Sequence, residues 1–142
     1  MSDEASVQIE AVVICDQIRF ENNGKALFIG VYNDVIMSPT LPLTMVLSLA
    51  IAVRAMSSGP LSIAISLFDP MNNDLANGLR GEGKYEGEAG RLTWFPIGFP
   101  ATLGAEGEYR LRIEIGEATR TERFLVRKPQ PQAAPHVLFV PN

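Results

Sequence analysis

The chain has 142 residues, 46% of them apolar, which suits one domain with a sizeable buried core. Its 12 Lys and Arg against 16 Asp and Glu leave a formal net charge of −4. That balance argues against binding to nucleic acid or an anionic membrane by bulk attraction. A single cysteine, Cys15, leaves no internal disulfide to form.

The first residues, MSDEASVQIE, are acidic and lack the basic and apolar regions of a secretory signal. The longest apolar run, residues 45–53, is too short for a membrane helix and contains Ser48. The expectation is a cytoplasmic protein without nucleic-acid or membrane partners. Val7, Ile9, Ala11, Val13 and Cys15 then alternate with their neighbours, the period of a strand, until the polarity blurs at Val12 and Ile14.

Asn22-Asn23-Gly24 is a hairpin signal, because these residues tolerate the positive φ of tight turns. KALFIGVY (25–32) and MVLSLAIAV (45–53) are more continuously apolar, which predicts central strands covered on both faces. Residues 43–56 also admit a short helix, but β-branched content, Pro42 and Gly59-Pro60 favour a strand. Ser57-Ser58-Gly59-Pro60 separates this strand from LSIAISLF (61–68), where Leu61, Ile63, Ile65 and Leu67 share one face.

The stretch 15–35, CDQIRFENNGKALFIGVYNDV, resembles the start of a family of small uncharacterised bacterial proteins. The resemblance rests on Cys-Asp, Arg, Gly-Lys and Ile-Gly-Val-Tyr. It implies a bacterial or phage source and no chemistry.

DPMNNDLAN (69–77) closes the fourth strand and gathers Asp69, Asn73 and Asp74, with Asn72 and Asn77 nearby. Hard oxygens in one loop suit calcium, whereas Asp-Pro-x-Asn is ordinary turn chemistry. GLRGEGKY (78–85) matches most of a phosphate-loop pattern. It fails at Tyr85, where a hydroxyl should hold magnesium, and no helix is expected to follow. A mobile glycine-rich loop continuing through Gly87 and Gly90 is the better account. Next comes TWFPIGFP, where Trp94, Phe95 and Phe99 are either core or an exposed aromatic contact patch.

Residues 107–126 are the most regular stretch: two alternating strands joined near Gly116, with Arg110, Arg112, Arg120 and Arg123 read as a polar face. The face mixes Glu114 and Glu122 with these cations and interleaves no aromatic row, so it reads as the wet side of a sheet rather than an anion site. Gly107-Glu108-Tyr109-Arg110-Leu111 resembles the start of the sixth strand of immunoglobulin-like domains, where a tyrosine ring enters the core and its hydroxyl bonds upstream backbone. Ala105 and Leu111 depart from the antibody form, which carries an acid and a cysteine there.

The prediction is an all-β, immunoglobulin-like antiparallel sandwich of about seven or eight strands over 1–128, followed by a proline-rich tail over 129–142. In the tail, Val137, Leu138, Phe139 and Val140 form an apolar, β-prone tetrapeptide suited to strand addition, in cis or to a partner. No catalytic constellation is expected: His136 is far in sequence from Cys15, zinc lacks ligands, and no carboxylate pair stands out. The function expected is a non-enzymatic interaction or assembly module without cofactor. The alternative is a sandwich binding a ligand or calcium through 69–77 and 78–90, with Asp69, Asn73 and Asp74 as ligands.

Overall fold

A computed structural model of the protein describes residues 4–129. They form nine strands: β1 (Val7–Phe20), β2 (Ala26–Tyr32), β3 (Val35–Met37), β4 (Leu43–Ala55), β5 (Gly59–Phe68), β6 (Leu79–Tyr85), β7 (Leu92–Leu103), β8 (Gly107–Ile115) and β9 (Ala118–Arg127). One sheet has the order β2-β1-β4-β7 and the other β3-β9-β8-β5-β6. All ladders are antiparallel except the short one between β3 and β9. The fold is an all-β sandwich.

Alternation drives it. Leu47, Leu49, Ile51 and Val53 of β4 meet Ile65 and Leu67 of β5 and Leu111, Ile113 and Ile115 of β8 in one dry interior. Each such side chain contributes about 1.5–3 kcal/mol on leaving water. Tyr109 is fully buried, its ring stacked on Phe124 with centroids 5.5 Å apart. Its hydroxyl donates to the Ala105 carbonyl at 2.8 Å and accepts from the Ala105 amide at 3.3 Å, closing the corner before β8.

Two strands lie where none was expected. β3 is three residues that reach the edge of β9 just after β2. β6 occupies the stretch expected to be a glycine-rich loop. Gly81 and Gly83 lie opposite Ile63 and Leu61 of β5, so backbone pairing orders a segment whose composition alone suggests mobility.

β1 serves two ladders. Residues 7–15 pair with β4, whereas residues 14–20 pair with β2. The change comes at Asp16, opposite Gly30, whose φ of +67 is open to glycine and strained for other residues. A β-carbon on Gly30 would also stand 2.3 Å from the Asp16 carboxylate. That carboxylate accepts a 2.5 Å hydrogen bond from the Tyr32 hydroxyl, and Ser48 Oγ donates to the Asp16 carbonyl at 3.5 Å.

Beyond this junction the β1–β2 hairpin turns over the sheet face that points away from the core. Phe28 of β2 meets Trp94 of β7 edge-to-face at 4.8 Å, although these strands are opposite edges of their sheet. Cys15, Ala50 and Ala52 are 1% exposed or less and belong to the outward rows of β1 and β4, outside the main core. Small side chains leave room there for the hairpin arm.

Two outcomes follow from this packing. Tyr109→Phe should cost about 1 kcal/mol by urea denaturation, since it loses one hydroxyl bond, and Tyr109→Ala about 3–5 kcal/mol, since it also empties the ring's site. The Tyr32 hydroxyl is held up to about 12 by its bond to Asp16, by burial and by the Asp16 charge, against 10.0 for a free tyrosine. Its folded value is raised, so the stabilisation is complete below pH 10 and disappears as pH climbs through 12. Denaturation at stepped pH should therefore show wild type more stable than Tyr32→Phe at pH 8, with the gap closing between pH 10 and 12.

Candidate interaction surface

A sandwich has open edges, and each exposes unpaired amides and carbonyls that invite another strand. β7 carries Pro96 and Pro100, which cannot donate to a ladder. β6 alternates Arg80, Glu82 and Lys84 with glycine. β3 is only three residues long. The distal half of β1, which has left β4, carries Asp16 and Arg19.

β2 differs. Its seven residues, ALFIGVY, contain neither proline nor charge, and β1 is the one strand paired with it among the described residues. Leu27, Ile29 and Val31 lie on one face and are 44%, 39% and 49% exposed, with Phe20 of β1 exposed near the hairpin turn. This corrects the expectation of a central strand covered on both sides. β4 is such a strand; β2 is apolar at an edge. The run of hydrophobes is the same in both, and only the bend at Asp16 separates them.

The aromatic segment is brought together on β7 but divided by the pleat. Phe99 is in the core and Phe95 packs against it, so neither lies on an exposed patch. Trp94 alone of the three is turned outward, half-buried beneath Phe28. The tail residues Val137, Leu138, Phe139 and Val140, and with them His136, lie outside the described residues.

The arginines resolve into pairs on two different faces. Arg112 meets Glu114 at 2.8 Å and Arg123 meets Glu108 at 3.3 Å on the outer face of β8 and β9. Arg110 donates to Asn72 Oδ1 and lies 5.3 Å above the Phe68 ring. Arg120 is not with them. It lies opposite Ile113, a core residue, so register places it on the inner side of β9. There it pairs with Glu122 at 2.6 Å and donates to the carbonyls of Ile9 and Glu10 at 3.3 and 3.1 Å. Those carbonyls flank the register shift between Ile9 and Ala11, where β1 skips a partner on β4. The sequence signal for this was the odd spacing of Arg120 and Arg123, which strand geometry forbids on one face.

In the 69–77 loop the carboxylates are turned onto their own backbone. Asp69 Oδ1 accepts from the amides of Met71 and Asn73, and Oδ2 from the Asn73 side chain. These bonds, the Asn73 amide first, hold the Asp69 carboxyl below its ordinary range. Asp74 Oδ1 accepts from the amides of Leu67 and Ala76, with Gly78 on Oδ2. Asx-turn bonding of this kind occupies the oxygens a cation would use. No group of three or more His, Cys, Asp or Glu able to hold a metal occurs among the described residues. Burial pushes the Cys15 thiol up, the opposite of what a nucleophile needs. A surface depression of about 530 Å³ lies on the open face of β5, β6 and β8 around Ser62, Arg80, Glu82 and Glu114.

No described helix is long and apolar enough to cross a membrane. No curated protein matches the chain. Among solved structures, it is similar to the Pseudomonas fluorescens alkylpurine DNA glycosylase AlkC bound to DNA containing an abasic site analog. The identity is 12% and the TM-score 0.44 over 87% of this chain, which spans 31% of that one. A family model matches residues 10–126, from within β1 to the last core residue of β9. The chain belongs to DUF6941, a family of unknown function.

Proposed function

We propose that the protein is a non-enzymatic interaction or assembly module that works by strand addition, with a protein or a second copy of itself as partner. The observation that carries this reading is β2, an edge strand without charge or proline whose Leu27, Ile29 and Val31 stand in solvent. Apolar side chains on an open edge favour association, because pairing satisfies the backbone and removes the stripe from water together. The donor strand is residues 137–140, and Trp94 of the 94–99 segment supports the hairpin arm that presents the edge. A bacterial or phage source and a cytoplasmic site of action belong to the same reading. The Tyr109 hydroxyl bonded to the Ala105 carbonyl supports placing the sandwich among immunoglobulin-like domains.

Removing residues 129–142 tests it. The main core lies within residues 5–126, so the truncated protein should melt near the full chain. In sedimentation, the full chain is expected to run as a multiple of its 15.5 kDa mass and the truncated form as a single chain. One mass for both, with the same co-purifying proteins, would overturn the proposal.

A further inference from the structure

We infer that the open edge of β2 is the acceptor for residues 137–140 of this chain's own sequence, an inference that rests on strand addition as the mode of action. The first ground is elimination. β7 is blocked by proline, β6 and the distal half of β1 by charge, and β3 by its length; of the uncharged, proline-free edges that remain, residues 43–47 of β4 beyond its ladder with β1 and the seven residues of β2, β2 is the longer.

The second ground is reach. Arg127 at the end of β9 is the ladder partner of Met37, so the two lie about 5 Å apart. Met37 follows Tyr32 by five residues, at most about 18 Å of chain. The end of β2 therefore lies within about 23 Å of Arg127 whatever path the connection takes. From Arg127 to Val137 the chain extends up to about 33 Å. The segment is long enough to reach β2, so the same contacts exchanged between two copies are within range.

The third ground is chemistry. Residues 137–140 are all apolar, so either register sets two of them on the side of Leu27, Ile29 and Val31. Neither strand brings a charge that pairing would bury.

Hydrogen exchange on the full-length protein tests the assignment. In wild type the amides of 137–140 should be protected. Ile29→Glu should speed their exchange by about 10-fold or more, because exchange reports the open population. Val31→Lys, at a second exposed position, should do the same. Ile29→Val should retain protection, as should Met71→Glu on a distant exposed loop. Amides of β8 remain slow in each variant if the sandwich is intact. Protection that survives both Ile29→Glu and Val31→Lys places the acceptor elsewhere and overturns the inference, while leaving strand addition standing. Unprotected 137–140 in wild type would remove both.

Discussion

β1 belongs to two ladders, and the distinctive surface of this protein depends on that division. A strand that stayed with β4 throughout would lie flat in the sheet and carry β2 beside it. Instead the pairing changes at Asp16, where Gly30 supplies a conformation and a vacancy that a side chain would deny. The hairpin then turns across the outer face, and the residues beneath it are small: Cys15, Ala50 and Ala52. Interiors are packed closely enough that even one added methylene is felt, so this row of small side chains is what lets the arm approach. Phe28 on Trp94 anchors the arm, and the Tyr32 hydroxyl on Asp16 fixes its root. The same rotation that half-buries Phe28 turns Leu27, Ile29 and Val31 to solvent, since successive residues of a strand face opposite ways.

Charge does less. The pairs on β8 and β9 are half-exposed, and ion pairs of that kind contribute about 0–1 kcal/mol each. Their effect is on specificity: a cation held beside its carboxylate offers little to an arriving anion. Arg120 acts differently. It spans from β9 to the two carbonyls beside the register shift in β1, with Glu122 fixing its guanidinium. A bulge leaves backbone groups without ladder partners, and one planar donor with several N–H groups meets two of them together. The inter-sheet contact is thus tied at the point where β1 is least regular.

Sequence reasoning reaches the architecture and stops short of the surface. Alternation in 61–68 and 107–126, with the turn chemistry at Asn22-Asn23-Gly24 and Asp69-Pro70, carries the strands and their connections because those patterns are local. The Tyr109 corner is legible for the same reason, with its acceptor four residues away. β6 was not legible, because glycine and charge read as a loop until β5 supplies a ladder. β2 was misplaced because a run of apolar residues tells of hydrophobicity and not of position. Whether such a run is central or at an edge is settled by β1 departing from β4, a contact between residues more than 30 positions apart. Gly30 within the run was the single local hint, since an interior glycine marks a bend or a close approach.

The edges themselves give the last step. Unguarded edges associate indiscriminately, so sheets blunt them with proline, charge or brevity, and each of these devices is present here on a different strand. Such protection on β3, β6 and β7 makes its lack on β2 informative, because one lysine at Ile29 would suffice and would disturb no core residue. A seven-residue apolar strand left open at the end of a sheet favours association with whatever extended segment can cover it. The cover must be extended, apolar and able to reach the arm, and the chain itself carries a segment of that description within ten residues of β9.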